Sequence, residues 1–261
     1  MYDNITWGVS FSSLESETGL PRALPKCFSL LELPGFLLSP LAKKQLKLSY
    51  PRISELFFRD MLDPTVAREI ISQPASIRNG LKSYLRKLVA EADNIHSSGI
   101  LLDFTVERGF EDTGLAAEFR EFINGFSHAF YNSGCKLLFP VRIPFPEPVK
   151  SAEQYLEFLK RQMLPQAGFS LDIHPHELAG KDFSPEEIMR WLEFDTVLLR
   201  FVYEPETGNR LVSRSLEPWI EYFHKRGLES RIVFAPVFRN PEIIENEINL
   251  FEELISDLNN T

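Results

Sequence analysis

Apolar residues fall along this chain in eight short runs: ITWGVSFS (5–12), CFSLLEL (27–33), SELFFRDM (54–61), GILLDFTV (99–106), KLLFPVRIPF (136–145), FSLDIHP (169–175), TVLLRFVYE (196–204) and RIVFAPVF (231–238). Their hydrophobicity is continuous rather than alternating, which suits strands buried on both faces, as in a parallel sheet. Between most of them the spacing turns helical. From Arg68 to Ala92, residues Ile77, Leu81, Tyr84, Leu85 and Leu88 share one face, and Pro74 marks the expected start. Leu115 to Tyr131 repeats Phe119, Phe122, Ile123, Phe126 and Phe130 at helical spacing. Ser151 followed by Gln154 is a capping-box pattern, and Ser184-Pro185-Glu186-Glu187 supplies a cap, a first-turn proline and first-turn acids. Asn240-Pro241-Glu242 opens the last helix in the same way, and Glu217-Pro218-Trp219 opens the one before the eighth strand.

Strand followed by helix, repeated eight times over 261 residues without a shift in composition, predicts an α/β chain folded as a closed (β/α)8 barrel, one domain spanning residues 1–261. An open, doubly wound sheet is the alternative. The connection from Leu33 to Ser54 is the least regular, with three prolines and a short helical run, and predicts a truncated helix or a lid-like loop.

The formal charge of −9, with no basic run, argues against binding the phosphate backbone of a nucleic acid. No window approaches the roughly 18 apolar residues of a membrane span. The first residues, MYDNITWGVS, lack the basic and then apolar segments of a signal peptide, so a soluble cytoplasmic protein is expected. Cys27 and Cys135 sit beside apolar runs without CxxC spacing and read as buried reduced thiols.

Side chains at the C-terminal ends of barrel strands converge on one mouth. Alternation offers Ser10 and Ser12 from the first strand, Glu32 from the second, Arg59 or Asp60 from the third, and Asp103, Thr105 and Glu107 from the fourth. The fifth offers Arg142. The sixth offers Asp172 and His174, with His176 beyond, and the seventh offers Arg200 with Tyr203 and Glu204 following. The eighth offers Ala235 or Pro236, with Arg239 outside. Such charges must pair or meet a ligand. In one reading Asp103, Arg142, Asp172 and Arg200 neutralise one another. In the other the arginines grip an anionic or polyhydroxylated small molecule, while an acid and a histidine move protons. Asp172-x-His174-x-His176 also invites a metal reading, although Pro175 can turn the two histidines apart. Glu32, Asp103 and Glu107 leave a glycosidase pair open. His96, His128 and His224 read as structural or solvated, and no glycine-rich phosphate loop or GxSxG elbow occurs.

The segment LDIHPHELAGKDFSPEEIMRWLEFDTVLLRFVYEPETGN resembles the sixth and seventh strands of the xylose isomerase-like TIM barrels, with LLEL around Glu32 similar to their second strand and Asp63 to Ala92 to their third loop and helix. That superfamily includes sugar isomerases, sugar-phosphate epimerases and apurinic endonucleases. The resemblance implies a divalent metal held by a glutamate on strand five, an aspartate on strand six, a histidine and a glutamate on strand eight. Only Asp172, with His174 or His176, carries over. Strand five has Arg142 and strand eight Ala235 and Pro236, so the metal is disfavoured and no cofactor is expected. The resemblance then implies a sugar isomerase- or epimerase-like protein acting on or binding a small carbohydrate or sugar acid. Asp172 or Glu32 would be the base and His174 or His176 its partner acid. Arg142, Arg200, Asp103, Tyr203 and Glu204 would contact the substrate. The alternative is a non-catalytic ligand-binding or regulatory barrel whose mouth charges pair internally.

Overall fold

The computed structural model describes residues 4–45, 48, 50–60, 75–102, 121, 130, 133–144, 167–178, 184–192, 196–208, 211–238 and 240–260. Eight parallel strands close into a barrel in chain order: β1 (Ile5–Ser10), β2 (Leu30–Pro34), β3 (Glu55–Asp60), β4 (Gly99–Leu102), β5 (Lys136–Ile143), β6 (Ala167–Ile173), β7 (Thr196–Tyr203) and β8 (Ser230–Pro236), with β8 pairing back onto β1. Each strand coincides with one of the eight apolar runs. The open doubly wound sheet is thereby overturned, because a sheet of that kind leaves two strand edges unpaired.

The described helices are α1 (Leu38–Ala42), α2 (Ala75–Asn94), α3 (Pro175–Leu178), α4 (Pro185–Leu192), α5 (Ser213–Arg226) and α6 (Ile244–Asn260). Helix α2 is described from Ala75, so the expected start at Pro74 lies outside the described residues; α1 is the truncated helix expected between Leu33 and Ser54. The Glu187 amide donates to Ser184 Oγ at 3.3 Å, and the Glu242 amide donates to Asn240 Oδ1 at 3.0 Å, so both capping patterns are used. Helix α5 departs from expectation. It starts at Ser213, and Pro218 lies inside it rather than at its first turn. Burial of Leu216 against the barrel holds the chain helical upstream of the proline. The helices expected over 115–131 and 151–164 fall outside the described residues, apart from helical Glu121 and Phe130.

Two apolar layers follow from the strand alternation. Inward residues Leu30, Phe57, Leu101, Leu138, Leu198 and Val233 fill the barrel interior as a cluster of their own. Gly8 makes room there, since a Cβ on it would stand 2.6 Å from Leu30 Cδ2. Outward residues pack beneath the helices: Trp7 stacks on Phe234, Phe234 stacks on Phe251 of α6, and Phe201 meets Trp219 of α5 edge-on. Cys135 is buried and Cys27 half-buried, both as free thiols. Burial pushes Cys135 up to about 12 and Cys27 up to about 11, so both remain protonated at neutral pH. Among the described residues no helix is long and apolar enough to cross a membrane.

Candidate active site at the barrel mouth

Directly above the apolar interior, the next inward positions of four strands carry charge. Glu32 on β2, Arg59 on β3, Asp172 on β6 and Arg200 on β7 meet near the barrel axis, with Ser10 and Ser12 beside them. Glu32 is 0% exposed and Arg200 2%. Register explains the meeting: Asp172 lies opposite Arg200 on adjacent strands, and Ser10 lies opposite Glu32.

Arg200 is the hub. Its Nη1 donates to Asp172 Oδ2 at 2.5 Å, and its Nη2 donates to Glu32 Oε1 at 2.9 Å and to Ser12 Oγ at 3.4 Å. Nε lies 2.7 Å from Glu32 Oε2, yet its N–H is not aimed at that oxygen, so this side of the fork attracts by charge rather than by an aligned hydrogen bond. Arg59 Nη1 donates to the same Asp172 Oδ2 at 2.9 Å. Ser10 Oγ donates to Glu32 Oε1 at 2.8 Å, and Ser170 Oγ donates to Asp172 Oδ1 at 3.3 Å. Burial pushes the Asp172 carboxyl up, but Arg200 and Arg59 together outweigh it and hold the group down at about 2. So held, the carboxylate is a poor proton acceptor at neutral pH.

A second group forms the rim. Arg142 Nη1 stands 3.1 Å from His174 Nε2, and Arg142 Nη2 donates to Glu177 on α3. Side chains of Arg142 and Glu177 are 43% and 44% exposed, against 20% for His174. Burial, and then Arg142 beside it, lowers His174 below the ordinary imidazole value, outweighing Asp172 and Glu177, which act the other way. A neutral ring facing a guanidinium presents its lone pair at Nε2, which places the proton on Nδ1, 3.8 Å from Glu177 Oε1.

The structure brings Glu32, Asp172 and Arg200 together at the floor, and Arg142 and His174 at the rim. It separates others. The extended chain ends at Ile173 and α3 begins at Pro175, so His176 turns out to solvent instead of continuing the Asp172–His174 face. Tyr203 has the opposite parity to Arg200 and points through the wall toward α6, where its hydroxyl donates to Glu247 Oε2 at 3.2 Å and its ring meets Phe251. It lines a groove of about 260 Å³ with Val212, Glu247, Phe251 and Leu254, away from the mouth. Glu204 follows β7, and its carbonyl accepts from the hydroxyl of Thr207. Asp103, Thr105, Glu107 and Arg239 lie outside the described residues. Two members were missed from the sequence. Ser170 is two residues before Asp172, so alternation gives it; Glu177 depends on the short turn of α3, for which the sequence carries no separate signal.

A divalent metal needs several donors not already claimed by other cations. Both oxygens of Asp172 and of Glu32 face guanidinium or hydroxyl groups. The adjacent positions on β5 and β8 are Pro140, Arg142, Ala235 and Pro236. Among the described residues no three His, Cys, Asp or Glu side chains converge. The described floor does not fit a divalent cation.

No family profile matches the chain, and no curated protein matches it in sequence. Solved structures do. A D-psicose 3-epimerase crystallised in the presence of D-fructose is 15% identical, with a TM-score of 0.64 over 94% of this chain and 89% of its own. A xylose isomerase domain protein from Planctomyces limnophilus is 11% identical, with a TM-score of 0.62 over 98% and 95%. A 3-keto-D-glucoside 4-epimerase from E. coli is 9% identical, with a TM-score of 0.65 over 97% and 99%. At these identities the likeness is one of fold. What this chain shares with these structures, a xylose isomerase domain protein among them, is the closed eight-stranded barrel.

Proposed function

We propose that this chain is a sugar isomerase- or epimerase-like barrel that acts on or binds a small carbohydrate or sugar acid at its C-terminal mouth. The observation that carries the reading is the rim, a half-exposed guanidinium beside a partly buried neutral imidazole, above a floor whose charges are balanced. The exposed Arg142–Glu177 pair is worth at most about 1 kcal/mol. A ligand carboxylate can therefore displace Glu177 and take Arg142 through the two-pronged geometry that suits guanidinium. His174 is the group able to take a proton at neutral pH. Asp172 and Glu32, engaged by Arg200, shape and polarise the floor. The sugars named for the structural neighbours, among them D-psicose and D-fructose, are consistent with this ligand class.

A specific observation favours a second reading, a non-catalytic ligand-binding barrel: Glu32, Asp172, Arg59 and Arg200 are partners of one another. One experiment addresses both. A thermal-shift screen of sugars, sugar acids and sugar phosphates identifies the ligand, and proton NMR in D₂O then follows exchange at the carbon next to its carbonyl. Stabilisation by a sugar acid, lost on Arg142→Ala, is the expected result. Exchange that disappears on His174→Gln supports the enzyme, and stabilisation without exchange supports the binding barrel. No stabilisation by any member of the panel would sink both.

A further inference from the structure

We propose that the guanidinium of Arg200 is the resident cation of this barrel mouth, standing between the acids of β2 and β6 in place of a divalent ion, and that removing it uncovers a latent metal site. The argument rests on three observations. Two carboxylates from non-adjacent strands, Glu32 and Asp172, approach one guanidinium from two sides, at 2.7–2.9 Å and 2.5 Å. All three side chains are nearly sealed from water, at 0%, 8% and 3% exposure. If Arg200 leaves, Asp172 keeps Arg59 at 2.9 Å, but Glu32 loses its paired cation and has no bulk solvent at hand to stabilise it. Hydroxyl oxygens complete the surroundings: Ser12 Oγ lies 3.4 Å from Nη2, and Ser10 Oγ lies 2.8 Å from Glu32. Carboxylates backed by hydroxyls form the oxygen-rich environment that hard divalent ions take.

Arginine and a bound ion are not equivalent here. Guanidinium stays charged at any pH the fold survives and cannot be chelated away. It carries one positive charge over a planar fork, so it neutralises without offering the open coordination position that would bind a sugar oxygen directly. The floor is thus a permanent part of the fold, and proton transfer at this mouth falls to the rim. Adding a divalent ion to the intact floor would set it against Arg200 and Arg59 at close range.

The test uses no sugar, so its outcome is separate from that of the ligand screen. Wild-type protein purified without chelators is titrated with Mn²⁺, followed by electron paramagnetic resonance of the free ion and by thermal unfolding. No stoichiometric binding and no shift in Tm are expected. Arg200→Ala should unfold at lower temperature, bind Mn²⁺ stoichiometrically, and recover about 5–10 °C when the ion is at a hundredfold its Kd. Adding Glu32→Gln should abolish that binding. A stoichiometric ion on the wild type that is lost on Asp172→Asn would overturn the proposal, as would a folded Arg200→Ala protein that takes no Mn²⁺. If Arg200→Ala does not accumulate, the Glu32→Gln/Arg200→Ala double variant decides. Its recovery as a folded protein assigns the defect to the uncompensated acid and supports the proposal. Its failure to fold as well makes Arg200 a packing element and overturns it.

Discussion

Replacing Asp172 with Asn keeps the shape of the side chain and removes the charge that Arg59 and Arg200 share. The carboxyl is held at about 2 in the fold against an ordinary value of 3.8. At about 1.4 kcal/mol for each tenfold change in proton affinity, that difference corresponds to roughly 2 kcal/mol of stability at neutral pH. The amide also leaves two guanidinium groups facing a weaker partner, and breaking a buried pair costs about 3–5 kcal/mol in other proteins. A loss of about 2–4 kcal/mol is therefore expected, lowering Tm by about 5–15 °C for a chain of this size. The pH dependence gives a sharper test. A carboxylate whose folded value is depressed contributes its full stability above the unfolded value of 3.8 and loses it as the pH falls through about 2. Urea unfolding of both proteins should show a gap that is constant above about pH 5 and narrows steadily between pH 4 and pH 2. A gap under about 0.5 kcal/mol at pH 7, or one that does not narrow in acid, would refute the reasoning.

Three further outcomes follow from separate parts of the fold. Gly8→Ala drives a Cβ to within 2.6 Å of Leu30 Cδ2 inside the packed barrel, and should cost about 1–3 kcal/mol in chemical denaturation. Tyr203→Phe removes the donor to Glu247 behind the barrel wall. It should cost about 1 kcal/mol while leaving the affinity of any mouth ligand unchanged in calorimetry. Any proton exchange run by His174 should survive as the pH falls through 6.5 and disappear only below it, because the folded imidazole titrates below that value. A pH–rate profile with its acid limb at or above 6.5 would contradict the assignment.

The barrel was legible because its strands are buried on both faces, and continuous apolar runs such as LLEL and TVLLRFVY are what that burial demands. Helix starts were legible where a cap and a proline act locally, as at Ser184 and Asn240. Pro218 misled because proline at the first turn is only a preference; packing of Leu216 set the true start four residues before Glu217. Alternation located Glu32, Asp172 and Arg200 on the inside and left Arg59 or Asp60 open on the third strand, and the same rule places Tyr203 outside once Arg200 is fixed. Asp172 with Arg200 was among the pairings offered, but the part of Glu32 and Arg59 in the network was not legible. These contacts join β7 to β2 and β3 to β6, each pair three strands apart in the ring, through tilt and closure that no local spacing encodes. The rim partnership of Arg142 with Glu177 depends likewise on a four-residue helix with no capping pattern of its own.

The hub position of Arg200 also has a temporal side. Glu32 is made early and Asp172 much later, yet the residue that satisfies both arrives only with β7. A nascent chain or fragment ending before residue 196 carries two inward-facing acids with Arg59 as their described counter-charge, and cannot seal them from water at low cost. Ring closure and neutralisation of the two acids therefore depend on the same strand, β7, which pairs with β6 and β8 and carries their shared partner. A fragment cut between β6 and β7, with six strands and both acids, should be more ordered in acid than at neutral pH, and should gain order at neutral pH when the two-stranded fragment that carries Arg200 is added.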